Sequence, residues 1–232
     1  GRVVEAPDGA PLLEVIKAAP GVQRASLGGS VRRMRETVAD VDLIVSAADP
    51  APVFHRLTTL PDVAQVLGQG QSKASVRLQD RDGDLQVDLR VLPDEDFATA
   101  LHHFTGSKAH HIRLRNLAIE RGLKISEWGV HRGEEKLVIH SEDDLYALLG
   151  MQPVPPELRE DWGEIEAALE HRLPTDLVTQ ADLAGNVHAH TTFSDGRDGL
   201  EAMARAAQAM GLQYLTITEH SQSAGYAGGL KE

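Results

Sequence analysis

Period-two alternation organises the first half of the chain. Across residues 38–46, Val41, Leu43 and Val45 fall on one face while Asp40 and Asp42 fall together on the other. A strand with that pattern buries its aliphatic side and projects two carboxylates. The pattern returns across residues 84–92, where Leu85, Val87, Leu89 and Val91 share the apolar face and leave Asp88 with Arg90. Residues 22–27, 63–67 and 74–78 read as further strands. Turn chemistry separates these elements: Pro7-Asp8-Gly9, Pro20-Gly21 and the hairpin sequence Asp80-Arg81-Asp82-Gly83. Pro11 suits the first turn of a short helix running to Ala19, and residues 52–60 form a second, interrupted by Pro61.

Beyond Pro93 the period lengthens to that of helices. Residues 94–104 read as a helix with acids in its first turn, where the macrodipole favours them, and Thr105-Gly106-Ser107 breaks it. Residues 108–121 form the next, with Ile112, Leu114 or Arg115, Leu117 and Ala118 at near-helical spacing and Gly122 as the stop. Residues 124–130 and 136–140 look like a hairpin, and Ser141 heads a helix that ends at Gly150. A proline-rich connector over 151–156 precedes an acidic helical stretch over 157–173. After a linker, strand 185–190, helix 199–210 and strand 213–218 form a βαβ start. The expected fold class is mixed, α+β with α/β: a sheet carrying helices, a small α/β unit, and an incomplete βαβ.

Composition narrows the chemistry. The 232 residues, 41% hydrophobic and 25% charged, are ordinary for a globular protein. No apolar run approaches the roughly 20 residues of a membrane span, and no signal-peptide pattern opens the chain. Cysteine is absent, so any metal must be held by histidine and carboxylate, which fits a reducing cytoplasm. Net charge of −12 excludes a globally basic nucleic-acid coat. Yet residues 101–124 carry five Lys/Arg against one acid, so a locally basic element is present. Gly1 begins in mid-stream and Glu232 follows a glycine-rich loop, so the chain reads as cut at both ends.

Gly28-Gly29-Ser30 followed by Arg32 and Arg33 suits a polyphosphate, because small residues admit close approach and guanidinium groups neutralise it. Asp40, Asp42 and Asp88 then supply hard oxygen ligands of the kind Mg²⁺ accepts. Nucleotidyl transfer holds two such ions about 3.5–4 Å apart. The bland alternative is a solvated strand face, with Asp88 paired to Arg90.

Read together, Gly28-Gly29-Ser30-x-Arg32-Arg33, Asp40-x-Asp42 and Val87-Asp88-Leu89-Arg90 resemble the palm of a family-X DNA polymerase. His103-Phe104-Thr105-Gly106-Ser107 is similar to the element that begins that family's thumb. The resemblance implies a nucleotidyltransferase palm over 1–93 and a nucleotide- and DNA-binding thumb over 94–173. It makes Asp40, Asp42 and Asp88 the catalytic ligands of Mg²⁺ or Mn²⁺. Gly29, Ser30 and Arg33 would meet the triphosphate; His103, Phe104 and Gly106 would lie along the incoming sugar. Arg90 would pair with a palm aspartate, and Lys108, His111 and Arg115 would contact DNA from one side of their helix. Met34, Ala39, His103 and His111 depart from the family pattern.

Histidines fall into two groups. His102, His103, His110 and His111 form adjacent pairs that diverge by about 100° on a helix, which favours exposure or hydrogen bonding near DNA over a metal cluster. His188 and His190 alternate onto one side of a strand, as a metal site requires. With Thr191 to Gly196 and then Glu219-His220, they resemble the opening of a polymerase-and-histidinol-phosphatase (PHP) domain over 182–232, joined by a linker over 174–181. The resemblance implies His188, His190, Asp195 and His220 as ligands of Mn²⁺ or Zn²⁺ in a (β/α) barrel. Asn186 and Glu219 depart from it, and the chain ends before further ligands, so exonuclease activity is not expected here.

The expected function is template-directed gap filling by a cytoplasmic monomer, with gapped or primer–template DNA and dNTPs as partners. A nucleotidyltransferase acting on RNA or a small molecule, and a non-catalytic DNA-binding fragment, stay open as alternatives.

Overall fold

The computed structural model describes residues 4–5, 9–80 and 83–231. Pro7-Asp8 of the first expected turn and Arg81-Asp82 of the hairpin turn lie outside the described residues. The chain forms two compact units, Gly1–Leu173 and Pro174–Glu232.

In chain order the first unit opens with β1 (Val4–Glu5), α1 (Ala10–Lys17, a proline in its first turn) and β2 (Val22–Leu27). A single helical turn follows, α2 (Gly29–Arg32), then β3 (Thr37–Val38), which pairs with β1, and β4 (Asp40–Ala47). Next come α3 (Ala51–Thr58), β5 (Val63–Gln69), β6 (Lys73–Asp80) and β7 (Gly83–Leu92). The main sheet has the order β2-β4-β7-β6-β5. Only the central pair, β4 with β7, is parallel.

Alternation sorts the two faces of this sheet. Val41, Leu43, Val45, Val87 and Leu89 are buried on one side with Ile16, Phe54 and Leu57 from α1 and α3. On the other side Ile44 and Leu92 pack against Phe97, Ala100 and Leu101 of α4 (Phe97–Thr105). Asp40 and Asp42 lie on the same face, nearer the start of β4, and both are half-buried. Arg24 and Ser46 both bond Asp94 Oδ1, at 2.7 and 2.8 Å, just before α4, and Arg24 lies over the Phe97 ring.

A second core is built on α4 and α5 (Lys108–Glu120), with β8 (Lys124–Ser126), β9 (Gly129–Arg132), β10 (Glu135–Leu137), α6 (Glu142–Leu148) and α7 (Glu164–Leu169). Leu114, Ile125, Val130, Leu145, Tyr146 and Ile165 fill it. Ser107 caps α5, and Ser141 with Asp144 forms a capping box on α6.

Three expectations need correction. The strand expected over 124–130 is split, because Glu127-Trp128 turn the chain and Gly129 adopts φ +125°, giving three short strands where two were expected. The helix expected over 157–173 shrinks to α7: Asp161 and Gly163 take positive φ, 60° and 102°, which no helix continues through. The buried face of α5 is His110, His111, Leu114 and Ala118, while Ile112 is exposed.

In the second unit β11 (Gly185–Ala189) and β12 (Tyr214–Ile217) pair in parallel, with α8 (Leu200–Ala209) between them in sequence. This is one βαβ; the barrel implied by the resemblance does not follow from it.

Candidate active site

Parallel pairing places Asp42 directly beside Asp88, and Asp40 beside Gln86. Neighbouring strands are about 4.8 Å apart, so the two carboxylates sit on one face within strong repulsion of each other. Asp42 bears the burden: burial first, then the charges of Asp40 and Asp88, push its pKa up to about 6, against the opposing pull of Arg90 and Lys73. Asp88 moves the other way. Burial acts to raise it, but hydrogen bonds from Lys73, Ser75 and Gln86 outweigh burial and hold it below the usual carboxylate range. Lys73 Nζ is 2.7 Å from Asp88 Oδ2, and Gln86 Nε2 donates to Oδ1 at 3.1 Å.

The glycine turn is fitted to these acids. Gly28 N–H donates to the Asp42 carbonyl at 2.8 Å, anchoring the turn to β4. Gly29 has φ +59°, and a Cβ there would collide with Asp42 Oδ2. Glycine is therefore demanded twice, by conformation and by space. Ser30 follows, half-buried within α2.

Both arginines of the motif are already engaged. Arg32 grips Glu142 through two bonds, 2.9 and 2.6 Å, and donates to Thr105 Oγ1. Arg33 donates to Glu160 at 2.8 Å and to the Thr105 carbonyl at 2.5 Å. Buried Arg159 adds a bond to Glu142 at 2.6 Å. Sequence reading missed Glu142 and Glu160, since no local spacing couples them to residues more than a hundred positions earlier. Arg90 is a correction: among the described residues it forms no ion pair with an aspartate. Its guanidinium lies 4.0 Å over the Phe104 ring and reaches Asp42 only through its field.

Residues 100–160 match the DNA polymerase beta thumb family. The chain is 42% identical over 207 residues to DNA polymerase/3'-5' exonuclease PolX of Bacillus subtilis (strain 168), covering 88% of this chain and 36% of that protein. The likeness is to the family-X DNA polymerases. Repair DNA polymerase X of African swine fever virus is 26% identical over 139 residues, 56% of this chain and 78% of that protein. DNA polymerase lambda of Rattus norvegicus is 28% identical over 163 residues, 58% of this chain and 28% of that protein. This chain thus spans about a third of the length of the Bacillus relative.

The segment that matches the thumb differs from expectation in its histidines. His102, His110 and His111 are buried, because the Gly106-Ser107 turn folds α5 back against α4 and brings the two pairs together. His110 Nδ1 lies 2.6 Å from Glu164, and its Nε2 lies 3.1 Å from Tyr146 Oη, which is 3.2 Å from His102 Nε2. A carboxylate only accepts, so Nδ1–H of His110 donates to Glu164. Tyr146 then donates to His110 Nε2, and His102 Nε2–H donates to Tyr146. Burial lowers the pKa of both histidines, keeping them neutral. His103 stacks edge-on between Phe104 and His111, with centroids at 4.7 and 4.5 Å. Burial first, then His103 and Arg115, push His111 down to about 4. Lys108 and Arg115 are exposed, whereas His111 is buried, so the three do not form one accessible face.

In the second unit His190, Asp195 and His220 offer ligand atoms within 4.8 Å of one another. His190 Nδ1 and His220 Nε2 lie 3.4 and 3.3 Å from the Asp195 carboxylate, and His188 Nε2 is 2.9 Å from His190 Nε2. Glu219 is turned to Thr191 and Ser194, whose hydrogen bonds lower its pKa.

Because Asp42 is raised in the folded chain, its ionisation is disfavoured by folding. Its contribution to stability is greatest at low pH and falls as pH rises from the ordinary aspartate value to about 6. In metal-free protein, carboxyl NMR is expected to follow Asp42 titrating near 6, and Asp40→Asn to move that midpoint down. Asp42→Asn should stabilise the metal-free fold at pH 8 by about 1–2 kcal/mol, read by denaturant unfolding. An ordinary midpoint near 4, with no gain in stability, would refute the repulsion argument.

Proposed function

We propose that this chain is a DNA-directed DNA polymerase of repair type, adding dNTPs to a primer 3′-hydroxyl in short gaps. The observation that carries the reading is the register of Asp42 with Asp88 on the parallel strand pair, beside Asp40 and the Gly28-Gly29-Ser30 turn. Three hard oxygen donors under mutual repulsion fit divalent cations, and we assign Mg²⁺ or Mn²⁺ to Asp40, Asp42 and Asp88. When bound, such ions polarise the α-phosphate and ease ionisation of the attacking hydroxyl.

The chain's own residues do the rest. Asp88, oriented by Ser75 and Gln86, takes the proton of the 3′-hydroxyl. The 3′-oxygen bonds to the α-phosphorus, the bond to the bridging oxygen breaks, and pyrophosphate leaves with that electron pair. Gly29 and Ser30 admit the triphosphate against α2. Arg33 meets it by exchanging the Glu160 carboxylate for a phosphate oxygen. His103, Phe104 and Gly106 border the sugar, and Lys108 with Arg115 meets DNA phosphates; His111 acts behind His103 as its packing support. In this reading 1–93 is the palm and 94–173 the thumb, 174–181 is a linker, and the protein works as a cytoplasmic monomer.

We propose further that 182–232 opens a PHP-type phosphoesterase unit, with His188, His190, Asp195 and His220 toward Mn²⁺ or Zn²⁺. Supporting this, His190, Asp195 and His220 offer ligand atoms within 4.8 Å of one another. The name of the Bacillus relative includes a 3'-5' exonuclease, which agrees with that assignment.

On a gapped duplex with Mg²⁺ or Mn²⁺, Asp42→Asn and Asp40→Ala are each expected to lower primer extension by on the order of 10³-fold or more. Extension that survives both changes would make the acids bystanders and favour a non-catalytic DNA-binding fragment. For the second unit, Zn²⁺ titration calorimetry should lose one binding event in His190→Ala and keep it in Asp42→Asn. Retention of every event in His190→Ala would remove the PHP assignment.

A further inference from the structure

Lys73 has no place in the sequence motifs, yet among the described residues it makes the one ion pair to a member of the aspartate triad. It is the first residue of β6, and antiparallel pairing sets it opposite Arg90, with Ser75 opposite Asp88 and Arg77 opposite Gln86. All six therefore lie on the acid-bearing face. Its Nζ is 2.7 Å from Asp88 Oδ2, while Gln86 fixes Oδ1. Among the described residues neither Asp40 nor Asp42 has an ion-pair partner, so the one neutralising contact in the triad is this ammonium. The Lys73 side chain is 38% exposed, although its cross-strand partner Arg90 packs against Phe104 of α4. Gln65 of β5 continues the row beyond Arg77, adding an amide and no further carboxylate.

We propose that Lys73 is a displaceable counter-cation: it occupies Asp88 until a divalent ion takes that carboxylate, and then turns to a phosphate of the primer strand. This rests on the polymerase reading. An ammonium at 2.7 Å holds an oxygen that a hard divalent cation needs, so the two cannot share it fully. A lysine suits the exchange because its charge rides on a flexible four-carbon stem. Once released it faces open solvent beside Ser75 and Arg77, where a nucleic-acid backbone offers the same electrostatic partner without geometric demand. The result is ordered assembly: metal entry at Asp88 frees the contact that grips the primer.

Lys73→Met tests this, since it keeps the stem and removes the charge. Both measurements use the full chain in a His190→Ala background, so that the second unit adds no tight metal site. Free-Mn²⁺ electron paramagnetic resonance, without DNA, is expected to show binding tightened roughly 3- to 10-fold in Lys73→Met, because the competitor is gone. Unchanged or weakened Mn²⁺ binding would overturn the proposal. Primer–template affinity is then measured against salt, with and without Ca²⁺. With Ca²⁺ the slope of log affinity on log salt should fall by about one in Lys73→Met; without it the slope should not change. An equal fall in both conditions would mean that Lys73 grips DNA independently of metal, and would also overturn it. If the unsubstituted chain binds no primer–template at all, the polymerase reading fails, while the Mn²⁺ result still decides whether Lys73 competes at Asp88.

Discussion

Two carboxylates facing each other across a parallel strand pair are held there by everything around them. Left to itself such a pair would neutralise one member or splay apart. Here the strands cannot slip, because a shift of one residue would turn Val41, Leu43, Val87 and Leu89 out of the core and carry Asp42 and Asp88 into it. Hydrophobic burial on one face thus enforces repulsion on the other. The field of the site follows: Asp42 is pushed up to about 6, and Asp88 is held low by an ammonium, a hydroxyl and an amide. A site in that condition is strongly biased toward divalent cations.

The glycine turn and the thumb are tied to this constraint by side chains with no slack. Gly29 touches Asp42 where a methyl group would not fit. Immediately after it, Arg32 and Arg33 reach Glu142 and Glu160, linking the turn to elements far along the chain. Behind Glu142 lies Arg159, whose guanidinium is 5.4 Å over the Tyr146 ring; from the Tyr146 hydroxyl, hydrogen bonds run to His102 and, through His110, to Glu164. Such networks are rigid where satisfied; here His102 Nδ1 is left buried without a partner among the described residues. On the proposed reading, a triphosphate that draws Arg33 away from Glu160 would be felt along these contacts.

Much of this was legible in sequence because it depends on period two. The faces of β4 and β7, the placement of all three aspartates and the βαβ of the second unit are consequences of alternation and turn residues. What stayed hidden depends on register and long-range packing. Lys73 falls outside the strand expected over 74–78, and only the pairing of β6 with β7 brings it to Asp88. The histidines of α4 and α5 looked divergent because each helix was read alone; folding one helix on the other makes them converge. Arg33 read as a free phosphate ligand because Glu160 lies 127 positions away. The helix expected over 157–173 failed locally, at Asp161 and Gly163, where a backbone turned to positive φ lets Glu164 accept from the Asp161 and Trp162 amides.

The aspartate triad is proposed to perform templated nucleotidyl transfer. That activity is tested most directly by single-turnover incorporation into one-nucleotide gaps carrying each of the four template bases in turn, with all four dNTPs offered one at a time. The expected result is addition of the complementary nucleotide with release of pyrophosphate. Addition indifferent to the template base, or transfer only to an RNA or small-molecule acceptor, would contradict it.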